Sequence, residues 1–194
     1  MSDPKQTTPP SGAYRLTVEE YDRIIKSGVI PKEDRVELIE GFLVTKEPPD
    51  PSYPLAAKQT MLALLRVVPP GWHVVSEKPV VVSERSKPEP DLAVVKGEAR
   101  DYLNRDITAQ DVALVVKIAR TKLEHDRDFM AQVYASSGIP AYWVLNLADE
   151  RIEAYTDPAT ERYVTRNDYQ FGQDVPLVVR GVDAGAIPVT DVLP

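Results

Sequence analysis

The sequence contains no cysteine and only two histidines, His73 and His125, among its 194 residues. A chain without cysteine has neither a disulfide framework nor a thiolate metal site. A metal site here would therefore depend on carboxylates, which favour hard ions such as Mg²⁺ or Mn²⁺. The absence of disulfides also fits a reducing compartment, and we expect the protein to be cytoplasmic.

Long hydrophobic runs and an excess of positive charge are missing as well. No apolar stretch approaches the roughly 18 residues that span a membrane, and the N-terminus lacks the apolar segment of a signal peptide. We therefore expect no membrane contact. The formal net charge is −7, which argues against a broad phosphate-binding surface but leaves room for a local basic rim.

The residues that are present predict one α/β domain with a short tail. A length of 194 residues with 43% hydrophobic and 27% charged residues is typical of a single globular core. Residues 1–13 are rich in Pro, Ser, Thr and Gly and have little to bury, so we expect a disordered tail. Residues 14–194 then form the domain.

The first half of this domain is predicted to begin with a helix and a hairpin. Thr17 and Glu20 have the spacing of a capping box, and Gly28 has the position of a helix C-cap. Apolar residues then recur with the spacing of two short strands and of a second helix that stops at a Pro-Pro-Gly sequence. The predicted elements are a helix at 17–28, strands at 36–39 and 42–45, and a helix at 55–68.

The centre of the chain predicts a buried sheet. Residues 112–119 form an almost continuous apolar run, as expected for a strand covered on both faces. A helix at 123–137 ends at Gly138, and a buried strand follows at 141–147, which suggests a parallel crossover. Further strands are predicted at 72–76, 79–83, 91–95, 151–155 and 162–165, followed by proline-punctuated loops.

The order of these elements and three motifs resemble the Uma-type family of putative restriction endonucleases, a branch of the PD-(D/E)XK nuclease superfamily. The motifs are VELIEG, PEPDLAVV and YASSGIPAYWVLN, and the resemblance covers roughly residues 14–163. It implies a restriction-endonuclease-like α/β fold, in which helices flank a mixed central sheet and an N-terminal helix and hairpin precede it. It also implies an endonuclease that cleaves DNA with Mg²⁺ or Mn²⁺.

The resemblance also implies which residues would carry the chemistry. In the superfamily, an early acidic residue, an Asp after a Pro and a Glu on the next strand hold a divalent ion. This ion neutralises the phosphate and generates a nucleophile from water. Glu37 in VELIEG and Asp91 in PEPD match the first two positions, so both are implied metal ligands.

Two positions central to this chemistry differ from the family pattern. The family has roughly LVVEVLS where this chain has LVVKIAR, so Lys117 stands at the Glu position. The family's lysine would fall four residues after Asp126, where this chain has Met130. If Lys117 were instead that lysine, the acid two residues earlier would be Val115, which cannot bind a metal. The family's frequent histidine at the start of the second helix is also missing from SYPLAAKQ.

These differences leave two hypotheses about function, with Asp91, Glu37 and Lys117 as the candidate catalytic residues. The first is a Mg²⁺-dependent endonuclease in which Glu89 or Asp126 replaces the missing Glu. The second is a non-catalytic nuclease-fold module that binds a protein or nucleic acid, and the acidic composition favours a protein partner or a homo-oligomer. We expect the Lys117 ammonium to take the place of the metal and to pair with Asp91 and Glu37, so that catalysis is impaired or lost.

Each candidate also has a purely structural explanation. Asp91 could cap a turn after Pro90, and Glu37 could be a surface charge beside Arg35. A buried ammonium without a partner is costly, so Lys117 either extends its charge to solvent at the strand end or pairs with a carboxylate.

The remaining polar and aromatic candidates are expected to be structural. His73 follows a tryptophan in a predicted strand and is expected to be a partly buried packing residue. His125 lies in the charged stretch 124–128, which predicts a solvated helix start. Tyr142 and Trp143 alternate on a predicted strand and are expected to fill core and surface rather than to stack on bases.

Overall fold

The computed structural model describes residues 12–46, 51–121 and 123–194, so most of the predicted tail at 1–13 lies outside the described residues. No helix in these ranges is long and apolar enough to cross a membrane. The helices are α1 (Val18–Ser27), α2 (Tyr53–Val67) and α3 (Ala131–Ser136). The strands are β1 (Val36–Ile39), β2 (Phe42–Thr45), β3 (Trp72–Ser76), β4 (Val80–Val81), β5 (Leu92–Lys96), β6 (Ile107–Thr108), β7 (Val112–Ala119), β8 (Ala141–Asn146), β9 (Arg151–Ala159), β10 (Arg162–Gln170), β11 (Asp174–Val179) and β12 (Val182–Pro188).

A six-stranded mixed sheet forms the centre of the fold, with the strand order β10-β9-β8-β7-β5-β3. Strands β7 and β8 run parallel, whereas their neighbours pair antiparallel. The parallel pair confirms the crossover predicted from the strand-helix-strand pattern. Together with α1 and the β1–β2 hairpin, the sheet confirms the predicted fold class.

The central strand β7 is buried on both faces, as its apolar run predicts. On one face Leu114 and Val116 pack in a core with α2 and the β11–β12 hairpin. On the other face Val112 and Val115 pack in a second core with α3. Burial of such side chains contributes roughly 1.5–3 kcal/mol each to folding. The two cores hold β7 rigidly, and Lys117 is carried by this strand.

The N-terminal helix and hairpin follow the predicted boundaries closely. Thr17 and Glu20 form the predicted capping box, and Gly28 adopts the left-handed C-cap with φ of 71°. The hairpin turns at Glu40 and Gly41. A Cβ at Gly41 would lie 2.6 Å from the Arg15 Cβ, so only glycine fits the close approach of these two segments.

The predicted helix at 123–137 is different in the structure. A π-helical segment, His125–Met130, precedes the short α3. The expected solvated helix start at 124–128 is wrong for Asp126, which is only 5% exposed. The wider π-helical turn brings Asp126 against the end of β7, and π-helical turns of this kind are frequent at functional sites.

The C-terminal region contains more sheet than the sequence predicts. Strands β9 and β10 extend well past 155 and 165, and a β11–β12 hairpin replaces the expected loops. Prolines such as Pro176 made these segments resemble loops, but proline is tolerated in strands at sheet edges. The strand predicted at 79–83 shrinks to β4. Tyr142 and Trp143 are both buried, because β8 is covered on both faces, so neither is a surface residue.

Candidate functional site

The three candidate catalytic residues line one pocket, a cavity of about 160 Å³ at the end of β7. Lys117 comes from β7, Asp91 immediately precedes β5, and Glu37 comes from β1 of the hairpin. The register of β5 with β7 pairs Leu92 with Val116, so the residues next to this pair, Asp91 and Lys117, lie at one end of the same ladder. The other sequence-predicted residues in the lining are Glu89, Asp126 and Met130.

The Asp91 carboxylate, 4% exposed, is fully engaged by donors. Its Oδ1 lies 3.5 Å from the Lys117 Nζ and accepts a hydrogen bond from the Tyr53 hydroxyl at 3.2 Å. Its Oδ2 accepts a 2.6 Å hydrogen bond from the main-chain N–H of Ile118. Asp91 therefore does more than cap a turn after Pro90, because it joins α2 and β7 to the start of β5.

The Lys117 ammonium is held in its charged form by the surrounding carboxylates. Its side chain is 24% exposed. Burial lowers the pKa of Lys117, but Asp91, Asp126 and Glu37 together outweigh burial, and the pKa lies above its usual value. Of the two structural explanations for a lysine in this strand, the structure shows the paired one, and its partner is Asp91.

Glu37 is half-buried and linked to the pocket wall through the main chain. Its Oε2 accepts a 2.8 Å hydrogen bond from the Glu89 N–H. Burial raises the pKa of Glu37, and the Glu89 N–H, Lys117 and Lys46 offset this effect only in part. Glu37 is thus part of the pocket rather than a simple surface charge beside Arg35, and Lys117 acts on it through its positive charge.

The two carboxylates that could replace the missing Glu, Glu89 and Asp126, lie in different environments. Glu89 pairs with the nearly buried Lys46, whose Nζ lies 3.1 Å from the Glu89 Oε1. Asp126 is buried at the pocket wall, where its charge acts on Lys117. Met130, 5% exposed, lines the same pocket at the position where the family resemblance implies a lysine. That part of the pocket is therefore apolar.

Sequence reasoning missed two residues of this pocket. Tyr53 lies in the SYPLAAKQ segment, which attracted attention only because it lacks a histidine. Burial raises the pKa of Tyr53 well above its usual value, so the hydroxyl remains a donor to Asp91. Lys46 follows β2 and carries no sequence signal, because only the folded hairpin brings it to Glu89.

The residues at the pocket do not fit the divalent ion that the family resemblance implies. Within the described residues, no group of three His, Asp or Glu side chains could hold a metal. The Lys117 ammonium stands beside the carboxylate oxygen that a metal would need. At about 4 Å and an effective dielectric near 20, a divalent ion would be repelled by this ammonium with roughly 8 kcal/mol.

The pocket also lacks the net positive charge of a groove that follows a phosphate backbone. Its described lining residues include four cationic and four acidic side chains, so their formal charges cancel. The cationic residues are Arg35, Lys46, Lys117 and Arg120, and the acidic ones are Glu37, Glu89, Asp91 and Asp126.

A second buried carboxylate, Glu153 on β9, has a very different environment. Its side chain is fully buried, and it is surrounded by three arginines. Arg127 of the π-helical segment donates two hydrogen bonds to Glu153, and Arg151 and Arg166 lie within 3.3 Å. Burial raises the pKa of Glu153, but the Arg127 hydrogen bonds and the other donors lower it to about 2.

Comparison with known proteins agrees with the fold. The architecture is that of a nuclease-type α/β protein. The chain belongs to the Uma2 family, described as "putative restriction endonuclease", whose sequence profile matches residues 18–187.

A solved structure supports the same fold. The crystal structure of a putative nuclease belonging to DUF820 from Anabaena variabilis superposes with a TM-score of 0.69. The two chains are 15% identical, and the match covers 91% of this chain and 97% of that one. No curated relative matches the sequence.

Proposed function

We propose that this Uma2-family protein keeps the nuclease fold while its metal-dependent hydrolysis of DNA is impaired or lost. The observation that carries this proposal is the 3.5 Å contact between the Lys117 Nζ and the Asp91 Oδ1. A fixed ammonium neutralises the carboxylates that would otherwise hold Mg²⁺ or Mn²⁺. Asp91, Glu37 and Lys117 are then the remnant of a catalytic site.

The chemistry of phosphodiester hydrolysis explains why this exchange matters. A bound metal polarises the phosphate and lowers the pKa of a water molecule that attacks it. An ammonium can contribute charge, but it has no open coordination position for water. Met130 cannot replace the family's lysine, because a thioether neither donates a hydrogen bond nor carries charge. Both parts of the hydrolytic machinery are thus weakened together.

The neutral pocket supports a second candidate, a cytoplasmic binding or regulatory module on the same fold. Because the lining charges cancel and the chain carries a net charge of −7, non-specific affinity for DNA should be low. A protein partner or a second copy fits this composition better. We infer that residues 14–194 act as one domain and that residues 1–13 are a dispensable tail.

A plasmid-nicking assay in Mg²⁺ and in Mn²⁺ tests the loss of catalysis. We expect the wild-type protein to cleave no faster than Asp91→Ala. Robust metal-dependent cleavage that Asp91→Ala abolishes would contradict the proposal. A contaminating nuclease would survive this substitution and is thereby recognised.

Restoring the family pattern provides the reciprocal test. The double variant Lys117→Glu/Met130→Lys is expected to bind Mn²⁺ measurably by isothermal titration calorimetry, whereas wild type is not. Lys58→Gln, which lowers the net charge by the same one unit on the exposed face of α2, serves as the matched control. Equal Mn²⁺ binding by wild type and the double variant would show that Lys117 does not block the site.

A further inference from the structure

Strand β10 leaves one edge of the central sheet open. In the described part of the chain, β9 is its only neighbouring strand. Arg166, Asn167 and Asp168 are all exposed, although they follow one another on a nine-residue strand. An edge strand presents unpaired N–H and C=O groups that another strand can satisfy. The edge therefore fits a partner in extended conformation.

We propose that β10 pairs antiparallel with β10 of a second copy of this chain, around a two-fold axis at Asn167. Within one chain, Arg166 already donates two hydrogen bonds to Asp168. This axis places Arg166 of one copy opposite Asp168 of the other, twice in each dimer, so that the two pairs join into one network of alternating charges. Opposite charges on directly facing residues stabilise a strand pair, whereas like charges destabilise it. The order Arg-Asn-Asp is therefore self-complementary in this register.

The same charges disfavour other registers. An axis at Arg166 would place the two Arg166 side chains against each other, and an axis at Asp168 would do the same with the two aspartates. A strand edge with charges of one sign would repel a second copy in every register. The opposite charges of Arg166 and Asp168 instead favour the axis at Asn167, as a two-fold interface requires. An axis at Thr165 would also pair opposite charges, Arg162 with Asp168, and the Arg162→Glu variant below distinguishes the two registers.

The neighbouring pairs of the proposed ladder are also compatible. Thr165 would face Tyr169, a combination that strands favour. The main chain of Gln170 already bonds Gln173, so the ladder ends at Tyr169. Val164 is 66% exposed and Phe171, just beyond the strand, is 46% exposed. Pairing would shield both ends of the ladder from water.

The proposed interface is independent of the candidate site. No residue of β10 lines the pocket of Lys117 and Asp91. Pairing would join two six-stranded sheets edge to edge and leave both pockets open. Failure of this proposal would therefore leave the proposed function untouched, and the reverse also holds.

Sedimentation velocity of the full-length protein over a hundredfold dilution series tests the pairing. We expect wild type to sediment as a dimer of the 21.6 kDa chain at the upper end of the series. In Asp168→Arg, the new arginine of each copy would face Arg166 of the other, and this repulsion should give a monomer. Arg162→Glu reverses a charge on the same strand outside the proposed ladder and should leave the dimer intact.

A charge-complementation experiment tests the register itself. Asn167→Lys and Asn167→Asp each place like charges across the axis, and each should weaken association about tenfold. Mixing the two variants should restore a dimer, because Lys and Asp then face each other. Circular dichroism establishes that each variant is folded. A monomeric wild type, a dimer unaffected by Asp168→Arg, or a mixture that associates no better than its components would overturn the proposal.

Discussion

Two buried carboxylates of this protein are neutralised in different ways. Glu153 is surrounded by Arg127, Arg151 and Arg166, which also contact the half-exposed Asp149 and Asp168, so cations and acids are balanced. In the pocket, the Lys117 ammonium is stabilised by three carboxylates, Asp91, Asp126 and Glu37. The balanced cluster is typical of a structural ion-pair network. Several carboxylates around one lysine are what our proposal expects where a side chain fills a metal position.

The type of cation differs for a physical reason. A guanidinium is a planar fork that pairs with a carboxylate through two parallel hydrogen bonds, as Arg127 does with Glu153. An ammonium is a compact point charge and can attract several carboxylates at once. A metal ion is also a compact charge. A lysine can therefore supply the same positive charge, but it cannot coordinate water or substrate as a metal does.

Lys117→Glu should have the largest effect on the stability of the protein. It removes the cation that lies against Asp91 and acts on Glu37 and Asp126, and it adds a fourth carboxylate. In metal-free buffer we expect a loss of unfolding free energy greater than the roughly 3–5 kcal/mol typical of breaking a buried pair from one side. Added Mn²⁺ should raise the melting temperature by linkage, because it binds only the folded state.

The measurement is a melting-temperature titration with Mn²⁺, with wild type as the reference. Wild type is expected to show no metal-dependent rise. If Mn²⁺ stabilises wild type as much as Lys117→Glu, the lysine does not stand in for the ion, and the site is a functional metal site.

Lys117→Ala should have the next largest effect. It leaves Asp91 with the Tyr53 hydroxyl and the Ile118 N–H but without a counter-charge, and about 3–5 kcal/mol should be lost. Partial rescue by Mn²⁺ is expected. Arg127→Ala is the matched control in the balanced cluster, because Glu153 retains Arg151 and Arg166. If Mn²⁺ raises the melting temperature of Arg127→Ala as much as that of Lys117→Ala, the pocket does not differ from the Glu153 cluster in its capacity for a metal.

The stability of the Glu153 cluster should depend on pH, because its arginines stabilise the ionised carboxylate. Its pKa of about 2 lies below the usual 4.5, so the folded state binds this proton less tightly than the unfolded chain. The stabilisation is fully present above the unfolded pKa and is lost as pH falls through the folded pKa. The pKa shift corresponds to at most about 3 kcal/mol of folding stability. The actual contribution is smaller, because solvent screens the half-exposed arginines.

Glu153→Gln tests this directly by urea unfolding at several pH values. The variant should be less stable than wild type near neutral pH, and the difference should shrink as the pH falls from about 4.5 towards 2. A difference that does not change with pH would mean that the carboxylate charge is not what the arginines stabilise.

The local patterns of the sequence predicted much of the fold. The capping box at Thr17, the hairpin turning at Gly41 and the apolar run of β7 each depend on neighbouring residues, and the structure confirms all three. The β11–β12 hairpin was missed because its prolines outweighed the alternating burial of Val175, Leu177 and Val179.

The candidate site was only partly accessible to sequence reasoning. Lys117 could be recognised because a charge interrupts an apolar strand, and Asp91 and Glu37 through family resemblance. Tyr53 could not, because its contact with Asp91 joins residues 38 positions apart in sequence. The π-helical segment that buries Asp126 depends on tertiary packing and leaves no simple periodic pattern.

Glu37→Gln should give the smallest effect and separates the two carboxylates beside Lys117. Burial raises the pKa of Glu37, so ionising this group costs the folded state some stability at neutral pH. That cost appears as pH rises above the unfolded pKa and is absent below it. A glutamine removes the cost and can still accept the Glu89 N–H, so we expect a gain of up to about 1 kcal/mol near neutral pH and none in acid. Glu37→Ala, which loses the acceptor, should instead destabilise by about 1 kcal/mol. If the glutamine variant is less stable than wild type at neutral pH, the Glu37 charge stabilises Lys117 as strongly as the Asp91 charge does. The pocket would then be a structural ion-pair network like the cluster at Glu153.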